Sequence, residues 1–292
     1  MSNKNFNKGL ILAAIGSSWW GLLGVIYFKY ISFVGHIEVV LHRSFWTTII
    51  LLFTTFIFSK WNVFKKIFFD KKKLIILFFT GILIFLNWAI WIYAVENNQI
   101  IDASFGYFIF PILSVLLGFI FLKEKLNNKR FLSILLVFIS TIYLFFNLNT
   151  FPWTGFAVAI IWSSYNLLRK IINVETDIGL LIESLFALPL VILLFYLIMK
   201  SNQNDFSISN PSLMLLIIFA GPMTVIPLFL YIKGVELSGL GPSGMTFFIA
   251  PTGQFLLGFF YFYETFSFEK FLSFILIWIA VSIYLRDLYE KN

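Results

Sequence analysis

The chain has 292 residues, of which 60% are hydrophobic and only 12% are charged. A soluble domain has about 25% charged residues, so this composition excludes a soluble globular protein. The net charge of +7 does not indicate nucleic-acid binding, because the basic residues are spread over loops, and the absence of cysteine excludes disulfides, thiolate metal sites and cysteine nucleophiles.

Ten apolar runs, separated by short polar or basic segments, follow one another along the chain. A helix needs about 20 apolar residues to cross a bilayer, so 292 residues with short connections accommodate about ten crossings and no separate soluble domain. We therefore predict an all-α integral membrane protein with ten transmembrane helices. The runs, numbered one to ten, are 9–27, 37–59, 74–94, 100–122, 131–147, 153–168, 178–199, 213–232, 243–262 and 268–288.

Lysine and arginine are distributed unevenly between the two ends of these runs. With the amino terminus inside, all but four of the 21 basic residues fall on the inner side. Because basic residues are retained in cytoplasmic loops, both termini are predicted to be cytoplasmic. The exceptions are Lys29, Lys200 and Lys270 on the outer side and Arg43 within run two.

The two halves of the chain match when the sequence is shifted by 140 positions. At this one offset Pro111 meets Pro251 and Glu124 meets Glu264, together with several Phe, Leu and Gly residues of runs four and nine. Each repeat contains five runs, and an odd number of crossings means that the second repeat enters the membrane from the opposite side. The pattern predicts two inverted five-helix repeats, residues 1–148 and 149–292, an architecture typical of secondary transporters with a substrate site between the repeats.

Polar and aromatic side chains near the middle of the runs are the candidates for substrate binding. Polar groups inside apolar spans are costly, so they tend to face the bundle interior or a wet cavity. The amides of Asn87 and Gln254 either clamp two helices together or contact the solute, and the sequence leaves both readings open. The aromatic rings would cover the solute, through cation–π contact if it is cationic. The predicted binding residues are Trp19, Asn87, Trp88, Trp91, Tyr107, Tyr165, Asn166 and Gln254.

Two prolines at matching positions are predicted hinges. Pro111 and Pro251 lie inside runs four and nine, and each removes a helical hydrogen bond. The carbonyl four residues earlier, that of Tyr107 or Phe247, should then be free. The alternative is an ordinary kink of a membrane helix.

Few ionisable groups lie inside the runs. His42 is the natural protonation switch near neutral pH, and Glu38 shares its helix face and could pair with it. The 140-residue offset places Arg43 and Glu183 toward opposite membrane faces, so these two should not pair. His42 and Glu183 are the predicted coupling residues.

Catalytic motifs are lacking. The chain has two histidines and contains no His-Glu-x-x-His helix, no Gly-x-Ser-x-Gly elbow and no Walker phosphate loop. We therefore expect no enzyme activity, no cofactor and no metal, and we expect an ion or substrate gradient to supply the energy.

The segment from Asp102 to Pro111, preceded by Asn87-Trp88 and by His42-Arg43, resembles the RarD group of EamA-type drug/metabolite transporters, and the resemblance covers nearly the whole chain. It implies ten helices in two inverted repeats in the bacterial inner membrane, moving small metabolites or drugs. Phe110 stands where the group has Asn before the proline, and Asp102 stands where it has Glu.

These observations predict a proton- or gradient-driven carrier of small amphipathic organic solutes. The alternative is a passive channel or pore, which needs a continuous polar lining that Phe and Trp interrupt here. The expected partners are a small-molecule substrate and membrane lipid, with no nucleic acid, and a homodimer is left open.

Overall fold

The computed structural model describes residues 3–96, 100–146, 151–201, 204–261 and 268–290, and every regular element within them is helical, which confirms the predicted all-α class. Glu264, the predicted counterpart of Glu124, lies outside the described residues, as does the side chain of Asp102. The helices are α1 (Asn3–Ser18), a π-helical segment (Trp19–Gly24), α2 (Val25–Tyr30), α3 (His36–Ile57), α4 (Trp61–Phe68), α5 (Lys71–Glu96), α6 (Ile100–Leu122), α7 (Asn128–Phe146), α8 (Trp153–Ile172), α9 (Thr176–Lys200), α10 (Pro211–Ser238), α11 (Leu240–Thr246), α12 (Ile249–Phe260) and α13 (Phe268–Glu290).

Eight helical spans of the described residues are long and apolar enough to cross a membrane, as a multi-pass membrane protein requires. Runs six and nine are not among them. Run six forms α8, whose second half carries several polar and basic side chains, and run nine is split into two short helices. The eight spans are Lys4–Tyr30, His36–Ile57, Lys71–Trp91, Phe105–Leu122, Asn128–Phe146, Thr176–Lys200, Pro211–Ser238 and Phe271–Leu288.

The break in run nine differs from the prediction. The run was expected to be one helix with Pro251 in its interior, but α11 ends at Thr246 and α12 begins at Ile249, so Pro251 lies in the first turn of α12. Proline is tolerated there because its missing N–H would have no helical partner. The carbonyl of Phe247 is also not free, since it accepts a hydrogen bond from the N–H of Ala250 at 2.9 Å. Pro111, by contrast, lies within the continuous helix α6.

The π-helical segment in the first span was not predicted. Within it, Trp19 packs against the cluster around Tyr27, and Trp20 packs against the largest core cluster. The segment lies directly on the start of α12, where a Cβ added at Gly21 would meet the Ala250 carbonyl oxygen at 2.6 Å. Single π turns of this kind often occur at functional sites.

One end of the bundle, here called the basic end, joins both halves of the chain through charged groups. It contains the described beginning and end of the chain, since Phe6 packs in a cluster with Leu126 and Leu288. Here the Glu124 carboxylate accepts hydrogen bonds from the backbone N–H groups of Leu240 (2.6 Å) and Gly241 (2.9 Å) at the start of α11. The opposite end of the bundle is called the distal end.

The core forms where helices of the two halves meet. Its largest cluster contains Phe110 of α6, Trp162 and Tyr165 of α8, Tyr231 of α10, and Phe247 between α11 and α12. Small residues allow the helices to approach closely, as is common in membrane bundles. This cluster brings most of the candidate residues to the middle of the bundle.

Candidate substrate site

Five aromatic rings form a central cluster, defined here as Trp20, Phe110, Trp162, Tyr231 and Phe247. The ring centroids of Phe110 and Phe247 are 4.8 Å apart, those of Trp20 and Trp162 are 5.8 Å apart, and those of Trp162 and Tyr231 are 5.9 Å apart. The rings come from the first span, α6, α8, α10 and the α11–α12 break. Both halves of the chain therefore contribute to one aromatic surface.

Tyr107 links this cluster to the side chains of α5. Its ring centroid lies 5.7 Å from that of Phe247, and its phenol lies near the side chain of Trp91. Trp91 and Trp88 are both half-buried on α5. Three of the predicted binding residues therefore lie beside the central cluster.

Arg43 projects from α3 into the space between these helices. Its Nε donates a hydrogen bond to Oγ1 of Thr224 at 2.9 Å, and its Cζ lies 4.7 Å from the centroid of Phe28 and 5.1 Å from that of Trp88. Both distances are within the range of cation–π attraction. Arg43 makes no ion pair with any carboxylate in the part of the chain that the structure describes.

The remaining predicted binding residues are divided between different surroundings. Asn87 is half-buried, and its amide nitrogen donates a hydrogen bond to the carbonyl of Val158 at 3.2 Å. The amide therefore links α5 to α8. The amide nitrogen of Asn166 donates to the Trp162 carbonyl one turn earlier in α8 at 2.7 Å. Gln254 is half-buried on α12, and Trp19 faces away from the central cluster.

A second polar group, here called the Glu183 cluster, lies between α5, α8 and α9. One carboxylate oxygen of Glu183 accepts from the Thr80 hydroxyl at 2.6 Å and the other accepts from the Tyr165 hydroxyl at 3.0 Å. Nη1 of Arg169 lies 3.6 Å from the same carboxylate, and Arg169 and Glu183 are both buried. A Cβ added at Gly179 would collide with the guanidinium, so this position is built around Arg169.

The position of Arg169 differs from the sequence prediction, which counted it among the loop residues of the basic side. It lies on the last turn of α8 and points into the bundle, because Glu183, one turn after Gly179, offers it a negative partner. The expectation that Arg43 and Glu183 do not pair is confirmed, since each has other partners.

His42 lies apart from Glu183, near the distal end. Its Nδ1 accepts a hydrogen bond from the Trp46 indole at 3.2 Å, and its Nε2 is 3.8 Å from the Glu38 carboxylate. Glu38 in turn accepts from the backbone N–H groups of Asp205 and Phe206. The predicted Glu38–His42 pair is present, but the two predicted coupling residues do not contact each other.

Sequence reasoning missed several members of the site. The missed residues are Trp20, Trp162, Tyr231 and Phe247. Aromatic residues are common throughout the apolar runs, so no sequence signal separates these four from ordinary core residues. In the described residues, the Trp162 indole N–H and the Tyr231 hydroxyl are buried and have no hydrogen-bond partner, which is a feature only coordinates can show. Arg43 had a visible signal, namely an arginine inside an apolar run.

Comparison with known proteins shows the family of the chain. Residues 7–146 match the EamA-like transporter family. The chain is 30% identical to Protein RarD of Salmonella typhi over 287 residues, which cover 98% of this chain and 97% of that protein. It is also 30% identical to the uncharacterized transporter YojE of Bacillus subtilis, covering 97% and 95% of the two chains.

A solved crystal structure with 14% sequence identity has the same fold. It superposes with a TM-score of 0.71 and covers 94% of each chain. The sequence relatives are named as transporters or by the RarD name, and the likeness extends over nearly all of both chains. This chain therefore belongs to the RarD group of EamA-like membrane transporters.

Proposed function

We propose that this membrane transporter is a secondary carrier of small amphipathic organic solutes that works by alternating access. The observation that carries the proposal is the surface formed by the central aromatic cluster together with Arg43, Trp88, Trp91 and Tyr107. Aromatic rings of both halves and a few polar groups converge there, as expected of a small-molecule site at the interface between repeats.

The proposed topology has ten membrane crossings in two inverted five-helix repeats. In this topology, α8 is a ninth crossing in addition to the eight apolar spans, and α11 and α12 together form a tenth, broken crossing. Both termini are proposed to be cytoplasmic, so that the basic end faces the cytoplasm and retains the lysines and arginines. The bacterial relatives support an inner-membrane location.

A broken crossing at the site supports gated movement. Glu124 of the first half holds the start of α11, while Phe247 at the α11–α12 break belongs to the central cluster. A shift of α11 would therefore move both the basic-end contact and the aromatic surface. Broken helices at the repeat interface are typical of transporters.

A passive channel fits this arrangement less well. A channel needs a continuous polar path, whereas the five rings of the central cluster lie in mutual contact across the middle of the bundle. Coupling to protons or to another gradient is proposed to involve His42 or Glu183, since both are buried groups with polar partners.

Counterflow in proteoliposomes tests the proposal. A metabolite panel is first screened by thermal stabilisation of the purified protein, because a bound ligand raises stability whatever the transport direction. Vesicles are then loaded with an unlabelled hit and diluted into a labelled one. A carrier accumulates label transiently above equilibrium, whereas a pore equilibrates without overshoot, and that second result would contradict the proposal.

A further inference from the structure

We propose that the solute is an organic monocarboxylate with an aromatic or apolar body, and that Arg43 binds its carboxylate. This inference rests on the proposed function and names the substrate class of the same site. It comes from the contacts of the Arg43 side chain, which differ from those of Glu183, the residue at the equivalent position of the other half.

The Arg43 guanidinium retains donors that the described protein groups do not use. Nε is taken by Thr224, but neither Nη makes a hydrogen bond or an ion pair within the described residues. A guanidinium carries five N–H donors in a fixed fork that matches the two oxygens of a carboxylate. The two Nη groups of Arg43 are thus available to bind a carboxylate.

The guanidinium lies in the interior of the bundle. Phe28 of α2, Trp88 of α5 and Thr224 of α10 contact it, and Tyr27 and Tyr107 lie close enough to interact with its charge. Arg43 is the eighth residue of α3, about 10 Å along the helix axis at 1.5 Å per residue. Side chains of four other helices, α2, α5, α6 and α10, therefore surround the charge at membrane depth.

A charge at this depth requires a counterpart. An arginine inside a membrane helix is costly, and such residues usually pair with an opposite charge or mark a substrate pathway. Aromatic faces and one hydroxyl reduce this cost but do not neutralise the charge. A negatively charged solute would supply the missing partner.

The surroundings also define the rest of the solute. Trp88 lies against the guanidinium, and Tyr107 continues the aromatic surface toward Phe247, with ring centroids 5.7 Å apart. A solute whose carboxylate binds Arg43 would place its body along these rings. The cationic solute considered from the sequence is disfavoured, because the face of Trp88 already holds a cation.

Charge-matched ligands test this assignment in the purified full-length protein. The probes are indole-3-acetate, indole-3-acetamide and tryptamine, together with phenylacetate, phenylacetamide and phenethylamine, so that only the charge changes within each set. We expect the acids to raise the unfolding temperature and the amides and amines to have little effect. We expect Arg43→Gln to weaken acid binding at least tenfold and Arg43→Lys to weaken it less, because lysine keeps the charge but not the fork.

Arg286→Gln is the matched control, since Arg286 is 81% exposed at the basic end and should leave binding unchanged. Sodium chloride and sodium phosphate are the inorganic controls. Equal stabilisation by these salts, equal binding of acid and amide, no binding of either acid, or full acid binding by a folded Arg43→Gln protein would each overturn the proposal. If Arg43→Gln does not fold, the relative binding of the acids, amides and amines to the wild-type protein still tests the proposal.

Counterflow separates this inference from the proposed function. If the amines bind and exchange across vesicles while the acids do not, the chain remains a carrier and the anion assignment is wrong. If the acids bind but show no overshoot in counterflow, the carrier mechanism fails while the assignment of Arg43 stands.

Discussion

Arg43 and Glu183 occupy equivalent positions in the two halves of the chain, yet their surroundings are opposite in kind. Each is hydrogen-bonded to a threonine hydroxyl of the other half: Arg43 donates to Thr224, and Glu183 accepts from Thr80. Glu183 is then enclosed by Tyr165 and by the oppositely charged Arg169. Apart from Thr224, the described groups in contact with the Arg43 guanidinium are aromatic rings, those of Phe28 and Trp88.

The difference follows from one position in each half. Arg169 lies 140 residues after Lys29, so the partner of Glu183 has a basic counterpart in the first half as well. A basic residue balances Glu183 but cannot balance Arg43. Among the described residues, the same arrangement therefore gives a closed ion pair in one half and an unbalanced charge in the other, and we interpret the unbalanced charge as the solute-binding group.

The largest expected effect comes from opening the closed pair. Glu183→Ala should lower the free energy of unfolding by about 3–5 kcal/mol, because it leaves the Arg169 charge buried without a partner. Arg43→Gln should lower it far less, since Arg43 has no ion pair with any of the residues that the structure describes. Denaturant titration in detergent measures both variants.

The double variant Glu183→Leu with Arg169→Met supplies the control. Replacing a whole buried ion pair by apolar side chains is often neutral, so much of the lost stability should return. If Glu183→Ala is as stable as the wild-type protein, the two positions do not differ as we describe.

A smaller effect is expected from one hydrogen bond of the Glu183 cluster. Tyr165→Phe removes the hydroxyl that donates to Glu183 at 3.0 Å and leaves the stacked ring on Trp162 in place. A hydrogen bond to a charged group contributes about 1.5–3 kcal/mol, and the free energy of unfolding should fall by about that amount. An unchanged affinity for the acid probes would assign Tyr165 to structure, whereas a large loss of affinity at full stability would return it to the substrate-binding residues.

Thr224→Val should have a still smaller effect, and on binding more than on stability. It removes the hydroxyl that accepts from Nε of Arg43 and keeps the shape of the side chain. One hydrogen bond that positions the guanidinium corresponds to about 1 kcal/mol, or roughly a fivefold loss of affinity for indole-3-acetate. Thr80→Val, the matched change beside Glu183, should alter stability without altering affinity.

The smallest effect concerns Glu124, a carboxylate held mainly by backbone amides. Burial raises the pKa of its carboxyl above the ordinary value, although Gly241, Leu240, Lys170 and Arg130 act to lower it. The folded state then binds this proton more tightly than the unfolded state, so its contribution to stability is full below the ordinary pKa and declines as pH rises through the raised pKa. The stability of the wild-type protein relative to Glu124→Gln should therefore fall as pH rises across that window, as thermal unfolding at several pH values would measure. A difference that grows with pH would contradict the direction of this shift.

The fold class and several site residues could be predicted from the sequence because they depend on local patterns. Apolar runs predict membrane helices, and a polar residue such as Asn87 inside a run indicates the bundle interior. The break before Ile249 and the π segment at Trp19 could not be predicted, because they depend on contacts between distant helices. Arg169 was misplaced for the same reason: its sequence position at a helix end indicates a loop, and only the packing of α8 against α9 places it beside Glu183.

The most direct test of the unbalanced charge at Arg43 is to reverse it. Binding of indole-3-acetate and tryptamine to the Arg43→Glu protein is measured by thermal stabilisation, with Arg286→Glu as the control. We predict that the preference inverts, so that tryptamine binds more tightly than indole-3-acetate only when position 43 is acidic. A folded Arg43→Glu protein that still prefers indole-3-acetate would contradict the account.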